Sequence, residues 1–145
     1  MNRRAQRGFT LIECLVAILI LALGIVGIVG CFTAALLSNQ KASNLQLATS
    51  LAQGIIENMR SYGFGSITYD NFPASINKDT TGNEDVVNLA EQLSLLHSGV
   101  ATTTITNNYD GDSRLKHVAV EVSWRSFNAS HPKIRLETVI SNRIE

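Results

Sequence analysis

The segment Arg7-Gly8-Phe9-Thr10-Leu11-Ile12-Glu13, with the apolar run that succeeds it from Cys14 to Leu37, decides how the rest of the chain is read. Those 24 residues contain no Asp, Glu, Lys or Arg. As a helix they are long enough to cross the roughly 30 Å hydrocarbon core of a bilayer. Arg3, Arg4 and Arg7 precede the run with no acid among them, and the next basic residue is Lys41. The positive-inside rule therefore places the N-terminus in the cytoplasm and exports the remainder of the chain. Glu13 is the exception in this pattern, because an ionised carboxylate at the edge of an apolar helix costs about 2–3 kcal/mol in lipid and calls for a partner. Arg7 can snorkel toward it; otherwise the compensating charge comes from another chain. The plainer alternative is a single-pass anchor with Glu13 at headgroup level.

Composition narrows the classes. After the N-terminal helix, a chain of 145 residues has room for one small core. Its 12 basic and 12 acidic residues balance, but residues 1–8 hold three of the bases, leaving 9 against 12 beyond them. No clustered Lys and Arg mark a nucleic-acid footprint. Cys14 and Cys31 both lie in the apolar run, about 25 Å apart along a helix, too far to pair within the chain. Packing against neighbouring helices as small apolar residues is the reading for Cys14. Ile28-Val29-Gly30-Cys31 matches a lipobox, which would make Cys31 a lipidated N-terminus. Against that, a secretory apolar region is usually about 7–15 residues, whereas this run is longer, starts beside Glu13 and continues in helical pattern past Cys31.

Gly8-Phe9-Thr10-Leu11-Ile12-Glu13, behind a short basic leader and ahead of a long apolar helix, resembles the class III prepilin signature of type IV pilins, minor pilins and type II secretion pseudopilins. The resemblance covers about the first forty residues. It implies that a prepilin peptidase cuts between Gly8 and Phe9, that Phe9 is N-methylated, and that Glu13 takes the family's acidic position in subunit assembly. A neighbour's charged N-terminus would then neutralise Glu13 inside an apolar filament core. Other major and minor pilins, a pilus assembly platform and, before assembly, the inner membrane are the partners it implies; no cofactor is called for. Within the family, the glycine-bearing helix and the segments Val122–Trp124 and Leu136–Ser141 are most similar to minor pilins of the type IV pilus modification (V-type) group. The I-type pseudopilin is the near alternative. The family often carries a proline associated with local helix melting, where this chain has Gly30.

In order, residues 1–8 read as leader, 9–37 as the membrane or filament-core half of a long helix, and 38–61 as its amphipathic half. Gly24, Gly27 and Gly30 form a small-residue face suited to close helix packing. Leu45, Ala48, Ala52, Ile55 and Met59 then recur at three- and four-residue steps, an apolar stripe that predicts packing on a sheet. Tyr62-Gly63 stops the helix. Residues 62–99 form the connection: a polar surface loop over 67–82, then a short helix announced by Thr81-Gly82-Asn83-Glu84 as a capping box. Residues 100–145 predict a three-stranded antiparallel sheet. Its clearest sign is Val118, Val120, Val122 and Trp124 alternating with Ala119, Glu121 and Ser123. Turns fall at 107–113 and 128–132. The fold class is α+β and pilin-like, the C-terminal half of the long helix lying on a small β-meander.

Chemistry is sparse. His97, His117 and His131 are scattered and read as surface or edge histidines. No HExxH, CxxC, GxSxG or phosphate loop is present, so a membrane-anchored hydrolase finds no reactive constellation. Asp110 and Asp112 are a short calcium candidate, but a hairpin turn explains them as well. Asn128-Ala129-Ser130 fits a glycosylation sequon. Trp124 reads as a core anchor, with a subunit contact as its rival role.

Overall fold

A computed structural model describes residues 10–126 and 130–142. The architecture is α+β, with a long N-terminal helix packed on a four-stranded antiparallel sheet. Contacts divide the chain into two compact units, Met1–Ala42 and Ser43–Glu145. Helix α1, Leu11–Ser61, contributes to both. In the first unit every described residue is exposed, and α1 here is long and apolar enough to cross a membrane.

The second unit has a continuous core. Ala48, Leu51, Ala52, Ile55, Ile56 and Met59 of α1 are buried in it. The predicted stripe holds except at its start, since Leu45 is exposed and the core begins at Ala48. Leu51 and Ile56 complete a wider apolar face, as a helix lying on a sheet requires. Gly63 ends the helix with a positive φ of 81°, the left-handed geometry that glycine adopts without steric cost.

The connection is more structured than a surface loop. Ile67, Phe72 and Ile76 are buried, and Ser75–Asn77 forms β1. Helix α2 spans Glu84–Leu93, and β2, β3 and β4 span Val100–Asn107, Leu115–Ser123 and Lys133–Ser141. The order is β1-β2-β3-β4 with all pairs antiparallel. The expected three-stranded sheet is therefore corrected to four strands. A three-residue strand inside a polar stretch has no period to read, and β1 exists because Ile76 pairs with Ala101 and enters the core. Asn83, not Thr81, caps α2, its Oδ1 accepting from Val86 N at 2.9 Å.

The register gathers Ala101, Thr103 and Ile105 of β2 opposite Val122, Val120 and Val118 of β3 on the inner face. Trp124, just past β3, is 4% exposed and belongs to the core. Lys116 also falls on the inner face, at 9% exposure. Its Nζ donates to the carbonyls of Phe64 and Ile67 at 2.8 and 2.9 Å and sits 4.7 Å above the Phe64 ring. A buried cation is tolerable when its donors are satisfied, and these contacts fasten the start of the connection to β3.

Candidate membrane and assembly site

The residues singled out at the N-terminus converge on the first turn of α1. Gly8 and Phe9, the expected cleavage and methylation positions, lie outside the described residues. Thr10 precedes the helix and Glu13 is its third residue. Glu13 N donates to Thr10 Oγ1 at 3.4 Å, while the Glu13 carboxylate accepts from both Thr10 N and Thr10 Oγ1 at 3.1 Å. This is a capping box, in which two backbone donors that the first turn leaves without helical partners are satisfied reciprocally. The acid also sits at the positive end of the helix dipole. Glu13 therefore has a partner inside its own chain. Its spacing to Thr10 ahead of an apolar run is the sequence signal for this role.

From Cys14 to Leu37, below the capped turn, the helix offers only apolar and small side chains. Space is open around Gly24, Gly27 and Gly30: a Cβ added at any of them meets nothing within 4 Å. The helix continues through Gly30, whose carbonyl also accepts from Thr33 Oγ1 at 2.9 Å. Cys14 and Cys31 are free and exposed on the same helix.

The other sites named from sequence do not join this one. Asp112 is engaged by Arg114, whose N and Nε donate to Oδ1 at 2.8 and 3.1 Å and whose Nη2 donates to Oδ2 at 2.9 Å. The Arg114 side chain, then its backbone N–H, holds the Asp112 carboxyl below the ordinary carboxylate range. Asp110 takes a left-handed conformation in the same turn, φ 55°. Among the described residues no three His, Cys, Asp or Glu side chains gather as a metal site. His97 and His131 are exposed. His117 stacks on Tyr109, with centroids 4.9 Å apart, and lies 3.2 Å from Glu137. Of the sequon, Asn128 and Ala129 lie outside the described residues.

A capped acidic first turn heading an exposed apolar helix is the geometry to set beside known families. Residues 3–29 match the family model of the prokaryotic N-terminal methylation motif. The matched segment takes in Arg3, Arg4 and Arg7, the Thr10–Glu13 turn and the helix as far as Val29. No curated protein and no solved structure matches the chain. The methylation motif supports a type IV pilin-like or pseudopilin subunit, and such proteins are structural subunits. The motif implies processing by a prepilin peptidase and assembly with other pilins, and with the apolar helix it supports single-span anchoring in the inner membrane.

Proposed function

We propose that the chain is a minor pilin of the type IV pilus modification type, which waits in the inner membrane with its N-terminus in the cytoplasm and then enters a pilus-like filament. The observation that carries this reading is the methylation motif over residues 3–29 heading a helix long and apolar enough to cross a membrane. The peptidase removes residues 1–8, Phe9 becomes the methylated N-terminus, and Glu13 receives the amino group of a neighbour. In the isolated subunit the capping box holds the carboxylate against Thr10 N and Thr10 Oγ1. Assembly then exchanges a local hydrogen-bond partner for an ionic one. Gly24, Gly27 and Gly30 give adjacent helices a close approach. The same motif serves an I-type pseudopilin of type II secretion, and recovery in sheared pili rather than in a secretion pseudopilus separates the two.

Two substitutions test the role of Glu13. Glu13→Gln keeps a side chain able to close the capping box and removes the charge; Glu13→Ala removes both. Both variants are expected to insert in the membrane at the wild-type level and to fall by about tenfold or more in sheared-filament fractions, since an unpaired amino terminus in an apolar core costs at least about 1.4 kcal/mol. If Glu13→Gln assembles normally while Glu13→Ala does not, Glu13 acts as a cap and the ionic register is wrong.

A further inference from the structure

The two edges of the sheet are treated differently. The β2 edge is closed from Val100 to Ile105 by unrelated means. β1 covers Val100 to Thr102, the Ala74 carbonyl takes Thr103 N at 2.9 Å, and the Tyr69 phenol accepts from Ile105 N at 3.0 Å and donates to Ile105 O at 3.4 Å. A side chain stands in where a strand is lacking. At the other edge, the nine residues of β4 have no strand partner on their outer side among the described residues. Ile134, Leu136 and Ile140 are only partly buried there, and an open groove runs between β4 and α1 past Gln53, Ile56 and Arg60. Open edges pair with strands unless something prevents it.

The charges on β4 select what pairs with it. Lys133, Arg135, Glu137 and Val139 share its outer face. For two antiparallel copies of β4, registers that keep inner faces together differ by one-residue steps of the centre, each a two-residue shift of one strand past the other. Centring on Glu137 places glutamate opposite glutamate. Centring on Arg135 faces Lys133 with Glu137 on each side but sets arginine opposite arginine between them, and centring on Ile134 sets Lys133 against Arg135. Centring on Leu136 pairs Arg135 with Glu137 twice, once on each side of the axis, and lays Leu136 against Leu136 on the inner face. Opposite charges directly across an antiparallel pair stabilise it, and like charges oppose it.

We propose that a second copy of this chain occupies the β4 edge, two β4 strands joining antiparallel about Leu136 so that each Arg135 meets the partner's Glu137 and the two sheets become one. This pairing stands independently of the filament reading, since it uses residues of the second unit alone.

The test uses the full chain in mild detergent under reducing conditions, which keeps Cys14 and Cys31 from cross-linking, with oligomeric state read by native mass spectrometry. Arg135→Glu leaves two glutamates on the strand, and Glu137→Arg leaves two arginines. Either substitution also removes the ion pair that Arg135 Nε and Glu137 Oε1 make within one chain at 2.6 Å, a pair that joining of the strands exchanges for the one across the axis. Between one chain of each kind, both cross-strand pairs are restored. The wild type is expected to dimerise, each single variant to dimerise at least about tenfold more weakly, and their equimolar mixture to recover wild-type affinity as a one-to-one heterodimer. A monomeric wild type overturns the proposal. So do single variants that dimerise like wild type, which would place the contact in the apolar helix, and a mixture that fails to recover, which would place a different strand or register at this edge.

Discussion

Glu13 and Thr103 are polar groups in apolar surroundings with opposite hydrogen-bond fates. Glu13 is satisfied by Thr10, so its cost in the first turn is met before any neighbour arrives. Thr103 is 2% exposed on the inner face of β2, and its Oγ1 has no hydrogen-bond partner. An unsatisfied buried hydroxyl costs about 1–3 kcal/mol, and valine has nearly the same shape. Thr103→Val is therefore expected to raise stability by about 1 kcal/mol, read as a higher melting temperature of the detergent-solubilised chain. A lower melting temperature would mean that the hydroxyl has a partner after all. Lys116 shows what a one-sided reading of alternation omits. Its place in register with Val118, Val120 and Val122 puts it inward, where the Phe64 and Ile67 carbonyls accept from its Nζ.

The elements obey local chemistry where that chemistry is dense. The α2 cap is decided by Asn83, so Asn83→Ala is expected to cost about 1 kcal/mol, while Thr81→Ala changes stability by no more than about 0.5 kcal/mol. Equal losses in thermal melts would restore Thr81 as the cap. Both residues are good caps by type, and the Thr81-x-x-Glu84 spacing favours Thr81; the bond from Val86 N to Asn83 Oδ1 decides for Asn83. The β2–β3 turn carries two non-glycine residues with positive φ, Asn108 and Asp110, and the Asp112–Arg114 pair closes its far side. Because the folded state lowers the Asp112 pKa, the pair contributes stability above the unfolded carboxylate value of about 4 and loses it as pH falls through the folded value. Wild type should therefore melt above Asp112→Asn at neutral pH, and the gap should close below about pH 4. A gap that is unchanged by acid would show that the carboxylate's charge contributes nothing there.

At the scale of the whole molecule, the chain reads as two units with different solvents. Residues 14–37 lack charge and, in the structure, lack cover; the 43–145 unit has its own core. The α+β arrangement is legible in the sequence because both periods are long: three- and four-residue steps along α1, and alternation through β3 and β4. The parts that are not legible have no period. Ile67, Phe72 and Ile76 reach the core at spacings of five and four residues from a stretch of turns, and β1 is too short to alternate. At the candidate site, Glu13 is legible as an unpaired charge, and that reading masks its pairing with Thr10 although Thr-x-x-Glu stands in the sequence. For the small residues at 24, 27 and 30 the first unit shows no packing reason among the described residues, since a Cβ added at any of them meets nothing within 4 Å.

The most direct measurement is the intact mass and N-terminal sequence of the protein recovered from its native envelope. A chain beginning at Phe9 and carrying one added methyl group, about 14 Da, is the predicted result for a methylation motif at residues 3–29. A chain beginning at a lipidated Cys31 would lack Glu13 and the capped turn, and would contradict the account.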